Sequence, residues 1–161
     1  MRIDYQNKSR SFARPILGII MFLSAGVNEA SDPPAMLGNA KRVSGKWAGT
    51  YECFQGEVAA TLTLAGHKNG TVEGDFLFYP TSANPKTATG RFIVTGSYYI
   101  DRSLVLGSGA WVEQPDGYIP VSLKGKVNAA FDTFTGTVPE CFNANFILKR
   151  VPGVHYDQSL N

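Results

Sequence analysis

Cys53 and Cys141 are the only two cysteines in this 161-residue chain, and their chemistry depends on compartment. In an oxidising setting they form a disulfide; in a reducing one they persist as thiols. A nucleophilic cysteine needs an activating base, and neither histidine is well placed to serve as one. His67 sits beside Lys68 in a turn, and His155 lies in the C-terminal tail. Neither has a second ligand at metal spacing, so neither a zinc site nor a cofactor is expected. Glu73 and Asp75 stand two apart on one face of a strand, a pairing that could act as acid and base in glycoside hydrolysis. On an outward face the same carboxylates are ordinary solvated surface. The chain has no G-x-S-x-G elbow, no phosphate-cradling loop and no dinucleotide fingerprint, so no catalytic residues are assigned. The segment AWVEQPDGY gathers Trp111, Gln114 and Tyr118 around a turn, and Tyr79 adds a further ring. Rigid rings beside amides and carboxylates suit a recognition surface. The competing reading is plain packing, with Trp111 filling one end of the domain and Tyr118 starting a strand.

The elements that must position these residues begin with the leader. Arg2, Lys8, Arg10 and Arg14 precede a short apolar run, Pro15 to Val27, of about 13 residues. That falls short of the ~20 needed to span a bilayer. Ser24 and Gly26 provide small residues at cleavage-like spacing, so the pattern predicts an export signal over 1–26. An uncleaved anchor, or a tail preceding the true start, are the competing readings. Val27 stands where a lipidated cysteine would be, which argues against lipid anchoring. The chain carries 15 basic and 13 acidic side chains, and the leader holds most of the basic excess. The remainder is close to neutral. Nucleic acid is therefore not expected as a partner, and the mature chain is expected to have no membrane span. Asp32, Pro33, Pro34 and Gly38 mark a linker over 27–42, and 152–161 reads as a loose tail.

Between them, 43–151 suits one domain. Alternation of apolar and polar residues recurs almost throughout, as half-buried strands require. Trp47, Tyr51 and Cys53 share a face; so do Val58, Ala60, Leu62 and Leu64; Val72, Phe76 and Phe78; Phe92, Val94, Tyr98 and Ile100. Leu104 and Leu106 begin a fifth set, Ile119, Val121, Leu123 and Val127 form a sixth, and Phe134 with Val138 a seventh. Phe142, Ala144, Phe146 and Leu148 make an eighth. Short turns such as Gln55-Gly56 and Pro115-Asp116-Gly117 make neighbours antiparallel. Eight such strands favour an all-β, up-and-down, calycin-like barrel over a sandwich, because closure removes exposed edges. The spacing apolar-x-Gly-x-apolar recurs at Gly49, Gly74, Gly96, Gly125 and Gly136, each on the inward face, as tight coiling would need. In a closed barrel the first and last strands are neighbours. A bond between Cys53 and Cys141 would clasp that seam and stabilise the fold by on the order of 4 kcal/mol through the long loop it closes.

The Ser44-Gly45-Lys46-Trp47 segment resembles the strand-one G-x-W of lipocalins and the avidin group, eight-stranded barrels that bind small apolar ligands or biotin. A broader pattern, W-x-G-x-Y-x-C-x-Q-G over Trp47 to Gly56, is followed by Asn84-Pro85 and by Q-P-x-G-Y over Gln114 to Tyr118. It resembles a small bacterial extracytoplasmic β-barrel module that also occurs near caspase-like peptidases. The closing C-x-x-F-x-L-x-R of that module runs two residues late here, with Phe146, Leu148 and Arg150 after Cys141. The resemblance implies a bacterial periplasmic or secreted setting and brings no activity with it.

Together these readings lead to an exported, non-enzymatic binding module that recognises a protein, in the manner of an inhibitor or immunity factor, or a glycan. Trp111, Gln114, Tyr118 and Tyr79 are its candidate binding residues. The alternatives are a calycin-like carrier of a small apolar ligand and a hydrolase using surface carboxylates. A cavity lined by Trp47, Tyr51, Phe76 and Tyr98 would favour the carrier; a filled barrel with aromatic rings on one rim would favour the binder.

Overall fold

The structure is a computed structural model and describes residues 36–153. The export signal over 1–26 and most of the tail lie outside them. Eight antiparallel strands run in sequence order around one closed barrel. They are β1 (Gly45–Cys53), β2 (Gly56–Gly66), β3 (Thr71–Tyr79), β4 (Gly90–Tyr98), β5 (Ser103–Glu113), β6 (Leu123–Val127), β7 (Thr133–Val138) and β8 (Ala144–Arg150). β1 pairs with β8, Gly49 opposite Leu148, and this closes the sheet.

The inward positions are those the alternation marks, except Ile100, Ile119 and Phe142, which fall in turns and loops beyond the strand ends and are exposed. Trp47, Leu62, Phe76, Phe92, Leu104, Phe134 and Leu148 are all buried in one core. Trp47 meets Phe134 edge-on and Phe134 meets Phe146 likewise, while Phe76 stacks against Phe92. The barrel interior is therefore filled with side chains at mid-height. The inward glycines explain how so small a barrel closes. A Cβ on Gly49 would collide with the Ile147 carbonyl of β8, and Gly125 and Gly136 face each other across β6 and β7. Strand backbones approach at these points more closely than any side chain permits.

β6 is shorter than the alternation suggests. It starts at Leu123, and Ile119 lies in the preceding loop, 64% exposed. As a result β5 pairs with β6 only from Ser103 to Leu106, and its upper half pairs with β4 alone, through two register shifts. The stretch between Glu113 and Leu123 spans that gap as a loop.

Residues 36–42, assigned to the linker by sequence, fold onto the barrel. Leu37 bridges to Tyr99, the Gly38 N–H donates to Tyr98, and a 3₁₀ turn (Ala40–Val43) buries Ala40 and Val43. This turn plugs one end. Trp47 Nε1 donates to the Val43 carbonyl at 3.0 Å, and the Arg150 guanidinium lies 4.4 Å from the indole centroid. Arg150 also donates to the carbonyls of Phe131, Ser44 and Arg42. One planar cation thus ties the last strand, a turn and the plug together.

Candidate functional site: the open end of the barrel

The opposite end carries the β1–β2, β3–β4, β5–β6 and β7–β8 connections and has no plug among the described residues. The Cys53–Cys141 disulfide lies here, with Cα atoms 4.9 Å apart. It joins the tip of β1 to a 3₁₀ turn (Pro139–Cys141) that precedes β8. Phe142 and Asn143 then follow with φ of 56° and 57°. A phenylalanine in this left-handed region is uncommon and strained. The sharp turn swings the Phe142 ring outward, where it meets Phe54 edge-on with centroids 4.8 Å apart. The two rings, 84% and 67% exposed, form an apolar prong standing on the disulfide.

Inside this rim lies a cup of about 500 Å³. Tyr51, Phe78, Phe92, Tyr118 and Val121 wall it, with Phe54, Gln55, Ile119 and Glu140 around its lip. The volume lies in the range of small-molecule sites. Tyr118 stacks on Phe78 at 5.5 Å and 15°, and its hydroxyl accepts from the Ala88 N–H at 3.2 Å. Tyr51 is 4% exposed, yet its hydroxyl makes no hydrogen bond with any of the described residues. Burial pushes its phenol pKa up, and Tyr118 nearby adds to the rise, so Tyr51 is a neutral phenol. Glu140 Oε2 accepts from the Ser122 N–H at 2.9 Å, which fixes the carboxylate at the lip.

The candidate residues separate in space. Trp111, half-buried, packs edge-on against Phe92 and Phe78 behind the wall of the cup. Gln114 donates from Nε2 to the Tyr118 carbonyl at 3.1 Å and braces the loop. Tyr118 alone of the four lines the cup. Tyr79 lies on the outer face of β3, its hydroxyl 3.4 Å from Thr61 Oγ1, away from the other three. Of the residues proposed to line a carrier cavity, Tyr51 does so, whereas Trp47, Phe76 and Tyr98 are packed in the core. Sequence reasoning does not single out Phe54 or Glu140, and it sets Phe142 on the inward face of the last strand, whereas the left-handed turn at Phe142 and Asn143 leaves that ring exposed. One signal was available: each cysteine is followed by a phenylalanine.

The paired carboxylates are also on the outer face. Asp75 binds Arg91 at 2.9 Å and Glu73 lies 3.3 Å from His67. Among the described residues there is no cluster of three metal-ligating side chains, and no helix is long and apolar enough to cross a membrane.

Charge divides between the ends. Glu52, Glu57, Glu113, Asp116 and Glu140 lie toward the open end, where Lys86, Lys124 and the Asp75-bound Arg91 are the basic residues. Lys41, Arg42, Lys46, Lys68 and Arg102 gather at the plugged end and outnumber Asp101 and Asp132 in its turns. Comparison with family models, with curated proteins and with solved structures finds no match.

Proposed function

We propose that this protein is an exported, non-enzymatic binding module of the bacterial envelope or secretome that receives a protein or glycan partner at the open end of its barrel. The observation that carries this reading is the contrast between a barrel filled and plugged at one end and an aromatic cup rimmed by exposed Phe54, Phe142 and Ile119 at the other. Exposed rings on a rigid, disulfide-held frame lose little entropy on binding, as interface hot spots require. The disulfide is compatible with an oxidising compartment outside the cytoplasm.

Affinity capture from the native host, comparing wild type with Phe142→Ala and Tyr118→Ala, tests the reading. Both variants should lose the captured partner while remaining folded. Equal capture by all three proteins would overturn it.

A second reading, a calycin-like carrier of a small ligand, is favoured by the cup itself. It requires the ligand to enter at the rim rather than fill the barrel centre. Native mass spectrometry of protein purified from its host distinguishes a retained small molecule from a protein partner.

A further inference from the structure

We infer that the cup is built for a small organic cation, an ammonium head carried on an aromatic or branched apolar body. This rests on reading the open end as the binding end. Among the described residues Glu140 is the one charged residue in the lining, and no lysine or arginine lines the cup. Among the described residues, no ion pair joins Glu140 to a cation. Its Oε2 is held by the Ser122 N–H, and Oε1 is left for a ligand.

The walls have the same preference. Aromatic faces carry negative charge density, so Phe78, Phe92 and Tyr118 attract a cation held among them. The Tyr51 hydroxyl, on a residue that lines the cup and bonded to none of the described residues, has lone pairs that accept from an ammonium N–H. An anion would meet Glu140 at close range, and a neutral ligand would cover that carboxylate without pairing it. A single lysine side chain is too slender to fill about 500 Å³. The ligand body must therefore supply rings or branched carbon. The acidic rim adds attraction on approach, which weakens as salt rises.

The test compares three probes sharing one ring system: tryptamine (a cation), tryptophol (neutral) and indole-3-acetate (an anion). Each is titrated at neutral pH and low salt into the full-length protein with its disulfide intact. Chemical shifts of residues around the cup are followed by NMR. Tryptamine should bind roughly tenfold more tightly than tryptophol, and indole-3-acetate most weakly. Glu140→Gln keeps an acceptor for the Ser122 N–H, so the fold survives. It should reduce tryptamine to the level of tryptophol and leave tryptophol unchanged. Tyr51→Phe should weaken tryptamine binding without moving the midpoint of thermal unfolding by more than a few degrees. Tryptophol or indole-3-acetate binding as tightly as tryptamine, or a cation preference that survives Glu140→Gln, would overturn the inference, as would failure of all three to bind. None of these outcomes touches the wider reading, which stands or falls on whether partner capture depends on Phe142 and Tyr118.

Discussion

The two ends of this barrel are made from the same strands and finished by opposite means. At the plugged end polar groups are satisfied internally. Arg150 is spread over three carbonyls and an indole, Trp47 bonds the plug, and Asp101 and Asp132 hold their own turns through Ser103, Thr133 and Asn128. At the open end apolar rings face water and the buried Thr87 hydroxyl has no partner among the described residues. A covalent bond holds the rim where packing does not. The lesson is that stability and recognition have been separated along the barrel axis. The core and plug hold the fold, which leaves the rim free to be strained and exposed.

The largest expected effect comes from breaking the plugged end. Trp47→Ala removes a fully buried indole together with its bond to Val43 and its contact with Arg150. It should cost about 3–5 kcal/mol in chemical denaturation. A loss under ~1 kcal/mol would show that the plug does not anchor the fold.

Breaking the disulfide comes next. Cys53→Ser with Cys141→Ser should lower stability by ~2–5 kcal/mol, because the unfolded chain regains the entropy of an 88-residue loop. Hydrogen exchange should then rise most at the tips of β1 and β8. A uniform rise would place the clasp among global rather than rim-specific restraints.

Arg150→Lys sharpens the comparison at lower cost. A lysine keeps the charge but not the planar fork, so carbonyls of Phe131, Ser44 and Arg42 lose donors. About 1–3 kcal/mol should be lost in thermal unfolding, with partner capture unchanged. Capture lost along with stability would show that the two ends are coupled.

Phe142→Gly should separate stability from recognition. Relief of a left-handed phenylalanine offsets the lost ring pair with Phe54, so stability should stay within about 1 kcal/mol. Partner capture should weaken by more than ~1 kcal/mol. Unchanged capture would remove the prong from the recognition surface.

Acid gives the smallest and most local effect. Hydrogen bonds from the Ser103 N–H and hydroxyl, with Lys126 beside them, lower the Asp101 carboxyl to about 2, and Asp132 is lowered by Thr133 and Asn128. A carboxyl depressed in the folded state stabilises above its unfolded value of ~3.9 and loses that contribution as pH falls through the folded one. Amide exchange in the turns at the plugged end should therefore quicken between about pH 4 and pH 2, before that of the rim loops. Simultaneous loosening of both ends would contradict the local origin.

Much of this architecture is legible in the sequence because its causes are local. A strand shows a two-residue period wherever one face is buried, and the strands follow their alternation closely except at the starts of the sixth and eighth. The inward glycines are visible for the same reason, and sequential short turns leave little choice but a meander that closes on itself. The pairing of Cys53 with Cys141 follows once first and last strands are neighbours. The sixth strand is misjudged because Ile119 and Val121 continue the period without a partner strand to pair with. Pairing is a property of the neighbour, not of the segment.

What the sequence determined by itself is therefore the barrel, its inward face and its clasp. Tertiary structure alone decided which end is open. The plug at 40–43 is too short to show a period, and Arg150 becomes its latch only when β8 returns beside β1. The cup depends on the same long-range closure. Tyr51, Phe78, Tyr118 and Glu140 come from separate strands and loops, and no spacing along the chain records that they share one cavity. Local physics fixes which way a side chain points; only the closed sheet fixes what it points at.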